Sequence, residues 1–420
     1  MPELRAILRD LLDRSGLSYA DLTRNALRNG EVLERGTLSD LFGDRCTISE
    51  QKLRILLRAI DEPETDSELW VDAWRRARGD AVVAGVKGYF QHLIATHTPL
   101  FAGRDEESRR ILDFIAARGS GYVFVEALSG FGKTSLLANL VDRHRDFCYH
   151  FISQTYRRTG AGFDSTRATD VLDSLCEQLA PGRVRGIELR GLEEEFISLM
   201  NKPYRKQTVV VLDGIDELGR DEKLVGLLPR RLPPGLVVVL SARAKGTGNY
   251  LNDVGLSTAD IDLHLNLPGL DATALAALLT IAGGAAASLA RDQDFVASLH
   301  AMSKGDPFYL RFLVEDMARG ALTADDVTKV PSGLEEYLDA QFEALKRSGH
   351  RPEHVQILSF LLAADALSRR DLIALVDGLN AFNFDEIIGE IHRFLLLHEG
   401  RYTFCHDRFR QYFRVKAGLE

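Results

Sequence analysis

The sequence predicts an α/β fold: a doubly wound parallel sheet flanked by an amino-terminal all-α bundle and by carboxyl-terminal helical lid and winged-helix domains. Three observations carry this. Between about residues 121 and 243, short and nearly unbroken apolar runs alternate with helical patterns, as strands buried on both faces of a parallel sheet require. Residues 1 to about 80 place apolar side chains at helical spacing throughout,. After about Asp271 helices return, and they lead to LLLHEGRYTFCH, a hairpin pattern turning at Glu399-Gly400, and a last helix, DRFRQYFRVK,.

Taken in order, residues 1–80 read as a helical domain built from LRAILRDLLDRSGL, SYADLTRNAL, GTLSDLFG, ISEQKLRILLRAI and SELWVDAWRRAR, with Ser18, Thr37 and Ser49 at N-cap positions,. Residues 81–99 read as a linker. Residues 100–270 form the α/β domain, with strands at GYVFVEA, CYHFIS, TVVVLDGID and GLVVVLSAR and helices at LLANLVDRH, ATDVLDSLCEQLA and LEEEFISLM. Residues 271–330 form a helical lid and 331–420 a winged-helix domain. The uncharged run from Ala272 to Ala290 is interrupted by Gly283-Gly284; it reads as two packed helices and not as a membrane span.

A chain of 420 residues predicts two to four domains, and 45% hydrophobic with 27% charged residues places it among soluble globular proteins,. The formal net charge of -9 argues against bulk electrostatic capture of nucleic acid or anionic membrane,. Cys46, Cys148, Cys176 and Cys405 are scattered, with no metal-ligand spacing, so a reduced, cytoplasmic setting is expected. The opening MPELRAILRDLLDR has no apolar core of a signal peptide,.

The chemistry sits in EALSGFGKTSLLANL, a strand, a glycine-bearing turn and a helix. Such a phosphate-binding loop (P-loop) wraps phosphate oxygens in backbone N–H groups at a helix N-terminus. Here that surface is Leu128 to Lys133, including Ser129, Gly130, Phe131 and Gly132, with Ser135 just beyond. Lys133 is expected to reach the outer phosphates and Thr134 to offer its hydroxyl to Mg2+. Ala127 stands where the usual pattern has glycine, which alanine replaces without strain if φ there is negative. Downstream, TVVVLDGIDEL ends a strand in Asp213, the carboxylate expected to hold Mg2+,. Asp216 and Glu217 either orient an attacking water or cap the next segment. Arg243, ending GLVVVLSAR, either reads a terminal phosphate or opens a surface loop.

Together FAGR, ALSGFGKTS, VVVLDGIDE, VVVLSAR and GDPFYL resemble, in order and spacing, the signal-transduction ATPases with numerous domains (STAND), a class of P-loop NTPases that includes the NACHT and NB-ARC families. The resemblance covers about residues 100 to 420, and DGIDE is similar to the NACHT form of its motif. It implies base binding at Gly103 and Arg104, a nucleotide contact from Pro307 of Gly305-Asp306-Pro307, and a phosphate contact from His406 of Cys405-His406-Asp407. Cysteine stands there where the family usually has methionine. Read without the resemblance, Gly305-Asp306-Pro307 is a turn opening a helix, Asp407 an N-cap and His406 an ordinary hairpin residue. The resemblance further implies a two-state device: ADP holds the modules closed, ATP exchange opens them to self-association, and slow ATP hydrolysis resets them. STAND proteins carry a sensor after the winged helix, and this chain ends at Glu420, so the sensor is expected on another protein or on a longer parent chain.

SGLSYADLTRNALRNGEVLERGTLSDLFG is similar to lambda-repressor-type helix-turn-helix domains, with GTLSDLF as the recognition helix,. Residues 1–80 nevertheless hold thirteen Arg and Lys against sixteen Asp and Glu, so charge does not support DNA as the partner. Three functions stay open: a switch in prokaryotic signalling or antiviral defence with an unknown protein partner, an ATP-gated transcription regulator on DNA, and a cycling AAA-type ATPase. In the last, Arg230 and Arg231 are candidates for a finger reaching a neighbour's site, or they form a surface turn.

Overall fold

Alternate side chains of three central strands enter two different cores, which is what fixes the α/β layer. The computed structural model describes residues 17–28, 50–60, 89–156, 163–181, 189–219, 222–320, 322–347, 349–364, 366–398 and 400–418. Within it, helices α1 (Tyr19–Arg28) and α2 (Glu50–Ala59) pack together through Leu22, Ala26, Leu53 and Leu56, and Asn25 Nδ2 donates to Ala59 O at 3.0 Å. Ser18 opens α1 as expected, its Oγ accepting from Asp21 N at 3.3 Å. The expected caps Thr37 and Ser49 and the recognition segment GTLSDLF lie outside the described residues.

Within the segment read as linker, residues 91–97 form helix α3 (Gln91–His97). Phe90 and Leu93 are buried in the α/β core, and each such burial contributes about 1.5–3 kcal/mol. Then follow α4 (Asp105–Arg118), β1 (Gly121–Ala127), α5 (Lys133–Arg143), β2 (Cys148–Phe151), α6 (Ala168–Leu179), α7 (Leu189–Asn201), β3 (Thr208–Asp213), β4 (Leu236–Arg243) and β5 (Leu263–Asn266). The strands run parallel in the order β2-β3-β4-β1-β5. Tyr122, Phe124, Val210, Leu212, Val238 and Leu240 pack on α6 and α7, while Val123, Val125, Val209, Val211, Val237 and Val239 pack on α3, α4 and α5. The period of two in strands sends neighbours to opposite faces. Helices on both faces make the sheet doubly wound. Sequence patterning had not marked β5; it is an edge strand of four residues in which only Leu265 is buried.

The remaining elements are α8 (Ala272–Ala282), α9 (Gly284–Leu289), α10 (Gln293–Ser303), α11 (Pro307–Ala318), α12 (Leu334–Lys346), α13 (Arg351–Ala363), β6 (Leu367–Ser368), α14 (Arg369–Leu375), α15 (Phe384–Ile391), β7 (Leu395–His398), β8 (Arg401–Phe404) and α16 (Asp407–Lys416). The apolar run splits into α8 and α9 at Gly283, as expected. Strands β6, β8 and β7 form a small antiparallel sheet, with Gly400 in the turn between β7 and β8. One contiguous hydrophobic core runs from Leu270 through Tyr309 and Leu358 to Phe413. In this conformation the segments read as lid and winged helix therefore form one carboxyl-terminal body. No helix among the described residues is long and apolar enough to cross a membrane.

Candidate nucleotide-binding site

Parallel strands bring their carboxyl ends to one edge, so Ala127, Asp213 and Arg243 meet there although they are far apart in sequence. Ala127 is buried, and Lys304 is the sole non-glycine residue with positive φ among the described residues; the alanine methyl therefore costs no backbone strain. The turn that follows needs its glycines. Gly130 and Gly132 have φ of 81° and 85°, in the left-handed region, and a Cβ built on Gly132 would meet nothing within 4 Å. The loop thus leaves open backbone surface at the N-terminus of α5, as phosphate approach demands. Lys133 Nζ donates to Ala127 O at 3.1 Å and to Leu128 O at 3.2 Å.

The acids form a linked set. Thr134 Oγ1 donates to Asp213 Oδ2 at 2.8 Å, and Ser241 Oγ donates to Asp213 Oδ1 while accepting from Gly214 N at 2.9 Å. Ser241 reaches Asp213 because β4 lies beside β3. Burial raises the Asp213 carboxyl above its ordinary range, opposed by the hydrogen bonds from Ser241 and Thr134. Asp216 accepts from Arg243 N at 3.0 Å and pairs with Arg243 Nε at 3.4 Å. Glu217 Oε2 accepts from Gln154 N at 2.8 Å, and burial, then the Asp216 charge, push its carboxyl up to about 7. Near neutral pH it can hold or release a proton, which suits a base acting on water.

The facing wall comes from the carboxyl-terminal body. His406 Nδ1 accepts from Arg408 N at 3.1 Å, so His406, and not Asp407, is the side chain capping α16. Its ring lies 4.5 Å from that of Phe308. Burial, then the charges of Arg408 and Arg243, lower its pKa to about 3, leaving a neutral imidazole. Asp407 Oδ2 accepts from Arg243 at 3.2 Å, tying the start of α16 to the end of β4. Arg408 pairs with Asp306 at 2.7 Å, and Asp306 itself caps α11, with Pro307 in its first turn. Arg408 and Phe308 also lie against Gly130, where an added Cβ would sit 3.1 Å from the guanidinium.

Between these walls lies a cavity of about 550 Å3, within the usual range for small-ligand pockets,. Ser129, Gly130, Phe131, Gly132, Lys133, Thr134, Ser135, Asp213, Asp216, Glu217, Arg243, Arg104, Pro307 and His406 all line it. Gly103 and Ala127 do not. Gly103 packs against α8, where a Cβ would fall 2.0 Å from Ala274 Cβ. Ala127 contributes only its carbonyl, to Lys133. Arg104 is 4% exposed and donates to Phe131 O at 3.2 Å and Pro268 O at 2.6 Å, so it braces the loop against the strand-to-lid connection. Arg230 and Arg231 are exposed and stand before the amino end of β4, away from the cavity. Sequence reasoning missed Ser241, His97 and Arg311. A serine inside the apolar run LVVVLSAR was the one signal available for Ser241.

The cradle fits a magnesium-bound nucleotide: an open glycine, Gly132, at a helix N-terminus, a lysine within reach of the loop, and a hydroxyl–carboxylate pair at Thr134 and Asp213. No family model matches the chain, and no curated protein matches it either. Solved structures do. The chain is similar to a Signal Transduction ATPase with Numerous Domains from Pyrococcus horikoshii that carries a tetratricopeptide repeat sensor, at 16% identity and a TM-score of 0.43 over 75% of this chain and 42% of that one. It therefore spans less than half the length of that protein. It is also similar to a Walker-type ATPase of Pyrococcus abyssi, at 14% identity and a TM-score of 0.40, covering 75% of this chain and 96% of that one. A third likeness is to Drosophila ORC bound to DNA, at 13% identity and a TM-score of 0.38 over 78% and 92% of the two chains.

Proposed function

We propose that this chain is an ATP/ADP-dependent switch of the STAND class, held closed by ADP and released by exchange for ATP to self-associate. One observation carries the reading. His406 and Asp407, from the start of α16, line the same cavity as Lys133 and Thr134 from the phosphate loop. A nucleotide in that cavity touches both bodies at once, and a ligand that binds one arrangement better than the other shifts the population between them.

In this reading the loop from Ser129 to Ser135 wraps the phosphates, Lys133 balances their charge, and Thr134 with Asp213 holds Mg2+. The ion supplies charge neutralisation at the phosphate oxygens. Glu217 takes a proton from water, Asp216 holds Arg243 in place, and Arg243 divides its charge between Asp216 and Asp407. Arg104, Pro307 and the neutral His406 complete the walls. Hydrolysis is slow and serves to reset the switch, and the amino-terminal domain recruits a protein partner.

The test is to purify the chain without added nucleotide, identify what co-purifies, and measure turnover. Tightly held ADP with turnover well below one per minute supports the switch. An empty site with rapid turnover rejects it in favour of a cycling ATPase.

A further inference from the structure

Helix α3 touches both bodies, and each end of it meets a different part of the machinery. At its carboxyl end, His97 Nδ1 lies 3.1 Å from Ser135 Oγ. Both residues line the cavity, and Ser135 sits in the first turn of α5 beside Thr134. Burial, then the charge of Arg311, lower the His97 pKa to about 4. The ring is thus neutral, and with its proton on Nε2 it accepts from the serine hydroxyl through Nδ1. One turn and a half earlier, the His92 ring stacks on that of His398 at 5.2 Å and 16°. Tyr156 stands edge-on to His398 at 5.3 Å and is itself 6.1 Å from the His97 ring. Tyr89, just before α3, donates from its hydroxyl to Tyr156 O at 2.6 Å.

His398 comes from β7, the first strand of the carboxyl-terminal hairpin. Two residues before it on the same face, Leu396 packs into the core shared by β1, α5 and α3,. The hairpin runs directly into Cys405, His406 and Asp407. A seven-residue helix therefore stands between the first strand of the hairpin that leads to His406 and the phosphate loop. Leu93 and Ile94, with Phe90 just before the helix, are buried and anchor it in the α/β core.

We propose that His97 is a positioning residue for the nucleotide, fixing the Ser135 hydroxyl at the cradle, and that α3 couples hairpin docking at His398 to nucleotide affinity. This deepens the nucleotide reading and rests on it.

The experiment is a double-mutant cycle on the full chain, with ADP affinity measured by calorimetry after removal of co-purified nucleotide. His97→Ala and Ser135→Ala should each weaken ADP about tenfold, as loss of an oriented hydroxyl at a charged group predicts. The double variant should be no weaker than either single one by more than about twofold. His97→Asn, whose amide oxygen takes the place of Nδ1, should recover most of the loss. His398→Ala, outside the cavity lining, should weaken ADP about fivefold, an effect on the scale of typical coupling free energies, and His398→Phe should restore it. Multiplicative losses in the cycle, or a His398→Ala protein that folds and binds ADP like the wild type, would overturn the inference. If the wild type binds no ADP, or Lys133→Ala binds as well as the wild type, the nucleotide reading itself fails and this inference goes with it. If the wild type binds and Lys133→Ala does not, only the cycle decides.

Discussion

The two walls of the cavity are built by different physics. The α/β wall is set by strand register: Ala127, Asp213 and Arg243 hang from parallel strands whose side chains are buried on both faces, and no single contact places them. The carboxyl-terminal wall is a separate body with its own core. It meets the first wall through partly exposed contacts, such as Arg243 with Asp407, whose side chains are 28% and 38% exposed. Ion pairs this exposed contribute about 0–1 kcal/mol. In the proposed switch the first wall is the fixed receptor, and the second is the door that a bound ligand would hold shut.

The largest effect should come from the fixed wall. Lys133→Ala removes the cation aimed at the phosphates and should cost about a hundredfold or more in ADP and ATP affinity, since truncating one partner of a desolvated charge pair is severe. The unfolding temperature of the nucleotide-free chain should change much less, because Lys133 donates only to loop carbonyls and acts on Asp216 and Asp213 through charge alone. Calorimetry with a melting curve checks both. Unchanged affinity would move the phosphate site elsewhere.

On the door, His406→Ala should act less on binding and more on shape. It deletes the cap of α16 and the ring packed on Phe308. Loss of an N-cap costs about 1 kcal/mol. ADP should be retained about tenfold less well, since a coupling of that size is typical between a ligand and a domain closure. The radius of gyration by small-angle scattering should rise, and assembly should begin without a stimulus. Full ADP retention in a folded variant would remove His406 from the lock.

The same contrast explains what could be read from the sequence. Strands β1, β3 and β4 were legible because burial on both faces leaves continuous apolar runs, and the phosphate loop because its residues are contiguous. Strand β5 was not, since it buries one side chain in four. Helix α3 fell inside a presumed linker because seven residues carry too little periodicity to stand out. Ser241, His97 and Arg408 gain their roles only when distant segments pack together. The wall at Cys405 to Asp407 was reached through family resemblance and not from spacing, because no local rule ties a hairpin histidine to a loop more than 270 residues earlier.

Acid should open the door by a smaller step. His406 and His97 are neutral in the closed form, with pKa values lowered to about 3 and about 4. Once separated from these surroundings they return toward 6.5, so opening takes up protons. Their contribution to closure is present above about pH 6.5 and is lost as pH falls toward 4. Glu217 titrates the opposite way: its raised value of about 7 favours the buried state at low pH and disfavours it as pH rises through 7. Scattering between pH 7.5 and 5 should therefore show expansion on acidification, and His406→Ala should flatten that response. Expansion as pH rises from 5 to 7 would assign the control to Glu217 instead,.

The smallest effect is expected where the sequence departs most visibly from a phosphate-loop pattern. Ala127→Gly restores the usual glycine, yet Ala127 already has negative φ, is buried, and touches the site only through its carbonyl. Glycine there adds freedom to the unfolded chain and removes a buried methyl, so stability should fall by about 0.5–1 kcal/mol. ADP affinity should stay within about twofold, because glycine keeps the carbonyl to which Lys133 donates,. A marked gain in affinity, read by the same calorimetry, would mean that the methyl crowds the loop and that the fixed wall is less complete than its register implies.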